Sequence, residues 1–253
     1  MKLFYRETGC GPPLIILHGL FGMSDNWMSL AKRFGESHKV YLLDMRNHGQ
    51  SPHHHCFDYN CLTSDLQKFI NERKLSKVTL LGHSMGGKIA MNFSLNYSEM
   101  VDKLIIVDIA AKAYDTSRFK SILQTMQALP LDKISSRKEA ENILSIKIKH
   151  KGLRQFLLKN ITRDKKNNFI WKLNVNTLLA NIDNISQKID SNTSFPKPTL
   201  LIYGGRSDYV NADDIKNLQQ LFPALQTRVI PNTTHWLHAE APEEFHKIVM
   251  EFL

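Results

Sequence analysis

The residues best suited to chemistry lie between Val78 and Ala90, where a short apolar run leads into the pattern Gly82-x-Ser84-x-Gly86. An apolar helical sequence follows at once, so the stretch predicts a strand, a sharp turn and a helix, with Ser84 at the apex. Glycine on either side of the serine suits such a turn, because residues without Cβ let the strand and the helix approach closely. The helix N-terminus also favours negative charge beside the serine. We therefore predict that Ser84 is a nucleophile.

A serine hydroxyl is a weak nucleophile at neutral pH, so it needs a base whose second ring nitrogen is held by a carboxylate. Of the eleven histidines, His235 fits this role best, because it follows the last predicted strand in a loop at the carboxyl edge of the sheet. His238 is the alternative base. His18, which follows an earlier strand, is predicted to be a structural loop residue. The nucleophile and its base thus come from distant parts of the chain.

The elements that must position these residues alternate along the chain. Continuous apolar runs predict buried strands at 14–17, 40–43, 78–81, 104–107, 199–203 and 227–230. Helical patterns separate most of them, which predicts right-handed crossovers and a mostly parallel sheet flanked by helices. Residues 2–8 are predicted to form a hairpin strand ahead of this series. Functional residues should gather at the carboxyl ends of the parallel strands.

These motifs and their order resemble the α/β-hydrolase superfamily. More narrowly, the chain is similar to the YbfF-type bacterial esterases from about residue 4 to residue 253. The similarity is clearest in His18–Gly22, Arg46–Gly49, Val107–Ile109, Gly204–Ser207 and His235–Glu240. It implies an α/β-hydrolase fold with a helical cap inserted after the sixth strand. It also implies that the backbone amides of Leu20 and Met85, which follow the His-Gly pair and the nucleophile, form an oxyanion hole.

Two carboxylates compete to orient the catalytic imidazole. Most members of the superfamily carry this acid in a Gly-x-x-Asp-x-x-Val pattern, and counting from Gly204 and from Val210 leads to Ser207. Asp208 is therefore one residue out of register. The resemblance to YbfF-type esterases implies an acid after the sixth strand, where Asp108 lies. Asp108 is the predicted acid of the triad, and Asp208 is the alternative.

The alternation of strands and helices stops between residues 112 and 190. We predict that residues 1–111 and 191–253 form the core and that 112–190 form a mostly helical cap. This segment carries 16 Lys or Arg and 7 Asp or Glu, a surplus equal to the formal charge of +9. The surplus is typical of a solvated helical face, and an alternative interpretation is attraction of an anionic substrate such as an acyl-CoA. Nucleic-acid binding is not expected, because no recognised module or aromatic stacking pattern is present.

Further features bear on location and cofactors. The N-terminal residues lack a secretory signal pattern, and no apolar run reaches the roughly 18 to 20 residues that span a bilayer, so a cytoplasmic protein is expected. Cys10, Cys56 and Cys61 lack metal-ligand spacing and are expected to be reduced thiols. The His53–His55 run is expected to be an exposed loop and not a metal site, because consecutive side chains diverge. The chemistry predicted here requires neither a metal nor an organic cofactor.

Together these residues predict a serine hydrolase that cleaves a small carboxylic ester or acyl thioester through an acyl-enzyme. A monomer or a homodimer would suffice for this chemistry. Two alternatives remain at this point: a ligand-binding protein with an idle triad, and a carbon–carbon bond hydrolase. Fold alone does not separate them.

Overall fold

A sheet of seven strands forms the centre of the computed structural model, which describes every residue from 1 to 253. In chain order, the strands of the protein are β1 (Tyr5–Thr8), β2 (Pro13–Leu17), β3 (Lys39–Leu43), β4 (Val78–His83), β5 (Val101–Val107), β6 (Ile161–Arg163), β7 (Phe169–Trp171), β8 (Thr199–Gly204) and β9 (Leu225–Ile230). The central sheet has the order β1-β3-β2-β4-β5-β8-β9. Every neighbouring pair in it is parallel except β1 and β3. The predicted mostly parallel sheet is confirmed.

Ten α-helices connect or flank these strands. They are α1 (Met28–Phe34), α2 (Tyr59–Glu72), α3 (Met85–Asn96), α4 (Ser117–Gln127), α5 (Arg137–Lys147), α6 (Lys151–Leu158), α7 (Val175–Asn181), α8 (Ala212–Leu221), α9 (Leu237–Glu240) and α10 (Pro242–Phe252). None of them is both long enough and apolar enough to cross a lipid bilayer.

The apolar strands are buried on both faces of the sheet, as β2 illustrates. Leu14 and Ile16 belong to the smaller of two apolar clusters, which includes residues of α1 and α10. Ile15 and Leu17 point to the opposite face and belong to the larger cluster, which includes residues of α2, α3 and the segment 112–190. Because successive side chains of a strand alternate between faces, a continuous apolar run places helices on both sides.

The N-terminal strand departs from expectation. β1 does not form a hairpin with β2. It is the edge strand of the sheet and pairs antiparallel with β3. The chain crosses over through Gly9 and Gly11, both at positive φ, and a Cβ on Gly9 would lie 2.3 Å from the carbonyl oxygens of Gly35 and His38. Since only one strand precedes β2, the strand before residues 112–190 is the fifth of this chain and not the expected sixth.

The segment 112–190, which we call the cap segment, contains α4 to α7 together with a small hairpin of β6 and β7. Sequence patterns indicate only helices here, because strands of three residues are too short to show alternation. The hairpin turns at Asp164, whose side chain accepts hydrogen bonds from the amides of Lys166 and Asn168. Asn167 takes the positive φ of this turn.

The cysteines are a second departure. Cys56 and Cys61 form a disulfide, so the expectation of reduced thiols is wrong for these two, whereas Cys10 is free and exposed. The first turn of α2 brings the pair together, since Asp58 caps the helix by accepting a hydrogen bond from the amide of Cys61. The side chains of Cys56, Asp58 and Cys61 also form the cluster best placed to hold a metal ion. With both sulfurs in a disulfide, this cluster retains one carboxylate ligand.

Candidate active site

Ser84 lies in the tight turn between β4 and α3, as its sequence pattern predicts. Its φ of 53° and ψ of −119° belong to a region that residues with a side chain rarely adopt. The flanking glycines make this turn possible. A Cβ on Gly82 would lie 2.2 Å from the carbonyl oxygen of Gly86, and a Cβ on Gly86 would lie 2.2 Å from that of Leu17. Any larger residue at either position would push the helix away from the sheet.

Asp108 follows β5, the strand next to β4, and its side chain is fully buried. Its Oδ2 accepts a hydrogen bond from His235 Nδ1 at 2.6 Å and another from the Ser207 hydroxyl. Its Oδ1 accepts from the Gly204 amide at 2.9 Å. Asp208, in contrast, is exposed. The structure therefore brings Asp108, and not Asp208, into contact with the imidazole.

His235 is held on three sides. Its Nδ1–H donates to Asp108, and its ring stacks on Tyr209 with 3.7 Å between ring centroids and an interplanar angle of 14°. Its backbone carbonyl accepts a hydrogen bond of 2.9 Å from His83 Nε2. This tautomer leaves Nε2 of His235 as the nitrogen that can accept a proton. The ring is therefore oriented before any substrate arrives.

Ser84 and His235 line the same cavity, which has a volume of about 300 Å³. No hydrogen bond joins the serine hydroxyl to the imidazole in this state. Such contacts are commonly long in ligand-free enzymes and shorten when substrate binds. Core and cap residues both contribute to the lining, which includes His18, Trp27, Arg118, Phe119, Phe156, Arg206 and Trp236. The cavity thus lies between the core and the cap segment.

His238, the alternative base, is buried beside the cavity but makes no contact with a carboxylate. Its ring stacks on Trp27, with 4.3 Å between centroids and 7° between planes. Burial, and then the charge of His235, lower the pKa of His238 to about 3. His238 is therefore a neutral packing residue at physiological pH.

His18 has both ring nitrogens occupied. Its Nδ1–H donates to the carbonyl of Gly19 at 2.8 Å, and its Nε2 accepts from the amide of Met45 at 3.0 Å. Burial holds the pKa of His18 below its usual value. The ring joins the loop after β2 to the loop after β3, as expected of a structural residue.

The amides of Leu20 and Met85 donate no hydrogen bond to another protein group. The loop that carries Leu20 is fixed around its neighbour Phe21. The amide of Phe21 donates to His48 Nε2 at 3.3 Å, and its carbonyl accepts from the side-chain amide of Asn160 at 2.9 Å. Sequence patterns do not reveal Asn160, because it belongs to the cap segment and meets this loop only in the folded chain.

The loop after β3 joins several parts of the structure. Asp44 accepts hydrogen bonds from the amides of Ser24 and Gln50. Arg46 forms a buried salt bridge of 2.6 Å with Asp65 on α2. The carbonyl of Asn47 accepts from the amide of Asn174 in the cap segment at 3.0 Å. The Asp44–Ser51 stretch therefore has an architectural role here.

Lys88, on the first turn of α3, was not anticipated as a special residue. Its side chain is only 2% exposed, and its Nζ donates hydrogen bonds to the carbonyls of Lys112 and Gln187. These two residues lie where the chain enters and leaves the cap segment. The ammonium also lies over the rings of Tyr59 and Tyr114, at 5.6 and 5.2 Å from their centroids. Lys88 therefore ties both ends of the cap segment to α3, the helix that follows Ser84.

We expect the burial of Lys88 to make the free energy of unfolding increase as the pH rises above 7. Burial lowers the pKa of Lys88 to about 7, whereas the unfolded chain keeps a lysine pKa of about 10.4. Between these values the unfolded state binds more protons, so the free energy of unfolding rises with pH. Between pH 7 and pH 9.5, the free energy of unfolding of the native protein should increase by about 1 to 3 kcal/mol more than that of Lys88→Met. Urea unfolding of the two proteins at pH 7 and at pH 9.5 measures this difference. An equal change in the free energy of unfolding of both proteins would contradict the prediction.

Comparisons with known proteins agree with the fold and with the geometry of this site. A family model described as the alpha/beta hydrolase fold matches residues 12–242. The chain is 36% identical over 249 residues to the sn-1-specific diacylglycerol lipase ABHD11 of Mus musculus, covering 96% of this chain and 81% of that protein. It is 32% identical over 243 residues to the esterase YbfF of Escherichia coli strain K12, covering 95% and 92%.

A solved structure described as a marine microorganism esterase is 40% identical in sequence. It superposes with a TM-score of 0.97 and covers 100% of this chain and 99% of that chain. The match extends through the cap segment as well as the core. With its sheet, the tight turn that carries Ser84 and these relatives, the chain belongs to the α/β-hydrolase fold family, among esterases and lipases.

Proposed function

We propose that this protein is a serine hydrolase that cleaves carboxylic esters or acyl thioesters through an acyl-enzyme on Ser84. His235 is the general base, and Asp108 orients it. The observation that carries the proposal is the 2.6 Å contact between His235 Nδ1 and the buried carboxylate of Asp108, beside the cavity that also contains Ser84. Relatives named as an esterase and a lipase support a carboxylic ester as the substrate.

In the first half of the reaction, Ser84 Oγ attacks the acyl carbonyl carbon while His235 Nε2 takes the hydroxyl proton. The Nδ1–H of the imidazolium remains bonded to Asp108, whose negative charge stabilises it. The carbonyl oxygen becomes an oxyanion, and the free amides of Leu20 and Met85 stabilise it. One such donor is typically worth about 3 to 4 kcal/mol. His235 then gives its proton to the leaving oxygen or sulfur, and the acyl-enzyme remains.

Water completes the reaction by the same route. His235 takes a proton from the water as its oxygen attacks the acyl carbon, and a second oxyanion forms between the same amides. When this intermediate collapses, the proton passes to Ser84 Oγ and the carboxylic acid leaves. The base, the acid and the amides are therefore each used twice in one turnover.

An acyl-CoA is the anionic substrate that the charge distribution favours within this class. The exposed side chains of Arg118 and Arg206 line the cavity, and the cap segment carries the positive surplus of the chain. Guanidinium groups bind phosphates well, so they suit the charged leaving group of such a thioester.

The organisation of the whole protein is part of the same proposal. Residues 112–190 act as the cap domain over a core of 1–111 and 191–253. We further propose a cytoplasmic monomer or homodimer that acts on small molecules and has no nucleic-acid partner.

A fluorophosphonate probe tests the proposed function, together with turnover of p-nitrophenyl esters and acyl-CoAs. We expect the probe to label the native protein and not Ser84→Ala, and the native protein to hydrolyse at least one member of the panel. Circular dichroism checks that the variant is folded. If the folded native protein neither reacts with the probe nor turns over any ester or thioester, it is a binding protein on this fold and the proposal fails.

A further inference from the structure

A second, smaller cavity adjoins Ser84. Its volume is about 30 Å³, and it shares Leu20, Ser84, Phe119 and Tyr209 with the larger cavity. Met85 lines the smaller cavity, whereas His235 lines only the larger one. Both spaces therefore open at Ser84, but only one of them gives access to the base.

The chemistry assigns each space to one part of a substrate. His235 must reach the leaving atom to protonate it, so the leaving group has to lie in the cavity that His235 lines. The oxyanion has to lie at the amides of Leu20 and Met85. At a tetrahedral carbon bonded to Ser84 Oγ, one substituent remains, and it is the acyl chain. The direction left for it is the smaller cavity.

Part of the wall of the smaller cavity is fixed in place. Its wall contains Lys88, whose ammonium is tied to the carbonyls of Lys112 and Gln187. Tyr59 is tied in the same way, because its hydroxyl donates to the carbonyl of Ile185. These bonds join the core to the cap segment, so neither side chain moves aside without breaking them. An apolar chain that extended further would also meet the desolvated ammonium, which is costly.

We propose that the smaller cavity is the acyl pocket and that it admits acetyl and propionyl groups but not long chains, while the larger cavity holds the leaving group. The size follows from the volume, since each water-sized group needs about 10 to 15 Å³ of such space. The pocket therefore takes about two heavy atoms beyond the carbonyl carbon. The inference rests on the proposed function and adds to it a class of substrate with a short acyl group and a larger alcohol or thiol.

The native protein alone tests the length limit. We expect kcat/KM for p-nitrophenyl acetate and propionate to exceed that for the hexanoate and octanoate by about tenfold or more, after correction for spontaneous hydrolysis. Acetates of bulkier aryl alcohols should remain good substrates. A protein that hydrolyses octanoate as well as acetate overturns the inference but leaves the proposed function intact. If the protein hydrolyses no ester and does not react with the fluorophosphonate probe, the proposed function itself is wrong.

Opening the wall tests which space holds the acyl chain. Ile182 and Ile185, both in the cap segment, line the smaller cavity only. We expect Ile185→Ala to raise the ratio of hexanoate to acetate turnover about tenfold. Ile182→Ala provides a second variant in case the first does not fold. Ile146→Ala is the matched control, because this cap isoleucine is 68% exposed and lines neither cavity. If folded Ile182→Ala and Ile185→Ala both keep the native length profile, the smaller cavity is not the acyl pocket.

Discussion

Replacing His235 by alanine is expected to lower kcat by about 10⁴ to 10⁶, the loss typical of removing the base of such a triad. Without an imidazole next to Ser84, the hydroxyl proton has no acceptor during attack, and the leaving group has no donor. The remaining activity should come from the oxyanion amides and from substrate binding. KM should change much less than kcat, since the base acts in the transition state. Steady-state kinetics with a p-nitrophenyl ester measures both constants.

His238→Gln is the matched control for that experiment. His238 lies three residues further along, lines the same cavity and packs on Trp27, but it has no carboxylate partner. We expect its kcat to fall by less than about tenfold. If His238→Gln loses as much kcat as His235→Ala while remaining folded, the assignment of the base is wrong.

Asp108→Asn is expected to lower kcat by about 10⁴. An amide in place of the carboxylate keeps the shape of the residue but removes the charge that stabilises the imidazolium. It also favours the wrong tautomer of His235, because the amide nitrogen would donate to Nδ1 where the carboxylate oxygen now accepts from it. The Gly204 amide would still find an oxygen, and the Ser207 hydroxyl could accept a hydrogen bond from the new amide nitrogen in place of the one that it now donates. The variant should therefore fold, and circular dichroism can verify this.

Asp208→Asn provides the comparison. Asp208 is exposed and is not in contact with the imidazole, so its loss should leave kcat within about twofold of the native value. Kinetics of the two variants under the same conditions decides between the carboxylates. A larger loss of kcat in Asp208→Asn would transfer the role of the acid to that residue.

The turn that carries Ser84 can be predicted from the sequence because its signal is local. Gly82, Ser84 and Gly86 lie within five residues, and the strand before them and the helix after them have distinct periodicities. The choice between Asp108 and Asp208 rested on the register of a short pattern and on a resemblance. The structure shows why the usual acid position of this pattern holds no carboxylate. Ser207 lies at that position, and its hydroxyl donates a hydrogen bond to the carboxylate of Asp108.

Other features depend on contacts between distant segments, which no short pattern encodes. Lys88 is an ordinary helix residue in the sequence, and its burial becomes visible only when both ends of the cap segment close over it. Asn160 meets the loop of Phe21 across 139 residues. The pairing of β1 with β3 likewise joins segments that are far apart in the sequence. The Cys56–Cys61 disulfide is a local feature, and it depends on the turn of the chain into α2. Periodicity thus predicts elements well, whereas their cross-connections require coordinates.

The most direct test of the account is to find where the acyl group resides during turnover. Mixing the native protein with p-nitrophenyl acetate, quenching in acid within the first turnovers and mapping the peptides by mass spectrometry locates the acetylated residue. The account predicts acetylation of Ser84, and none of that peptide in Ser84→Ala. Acetylation of another residue at a rate that matches turnover, or turnover that persists in Ser84→Ala at the native rate, would contradict it.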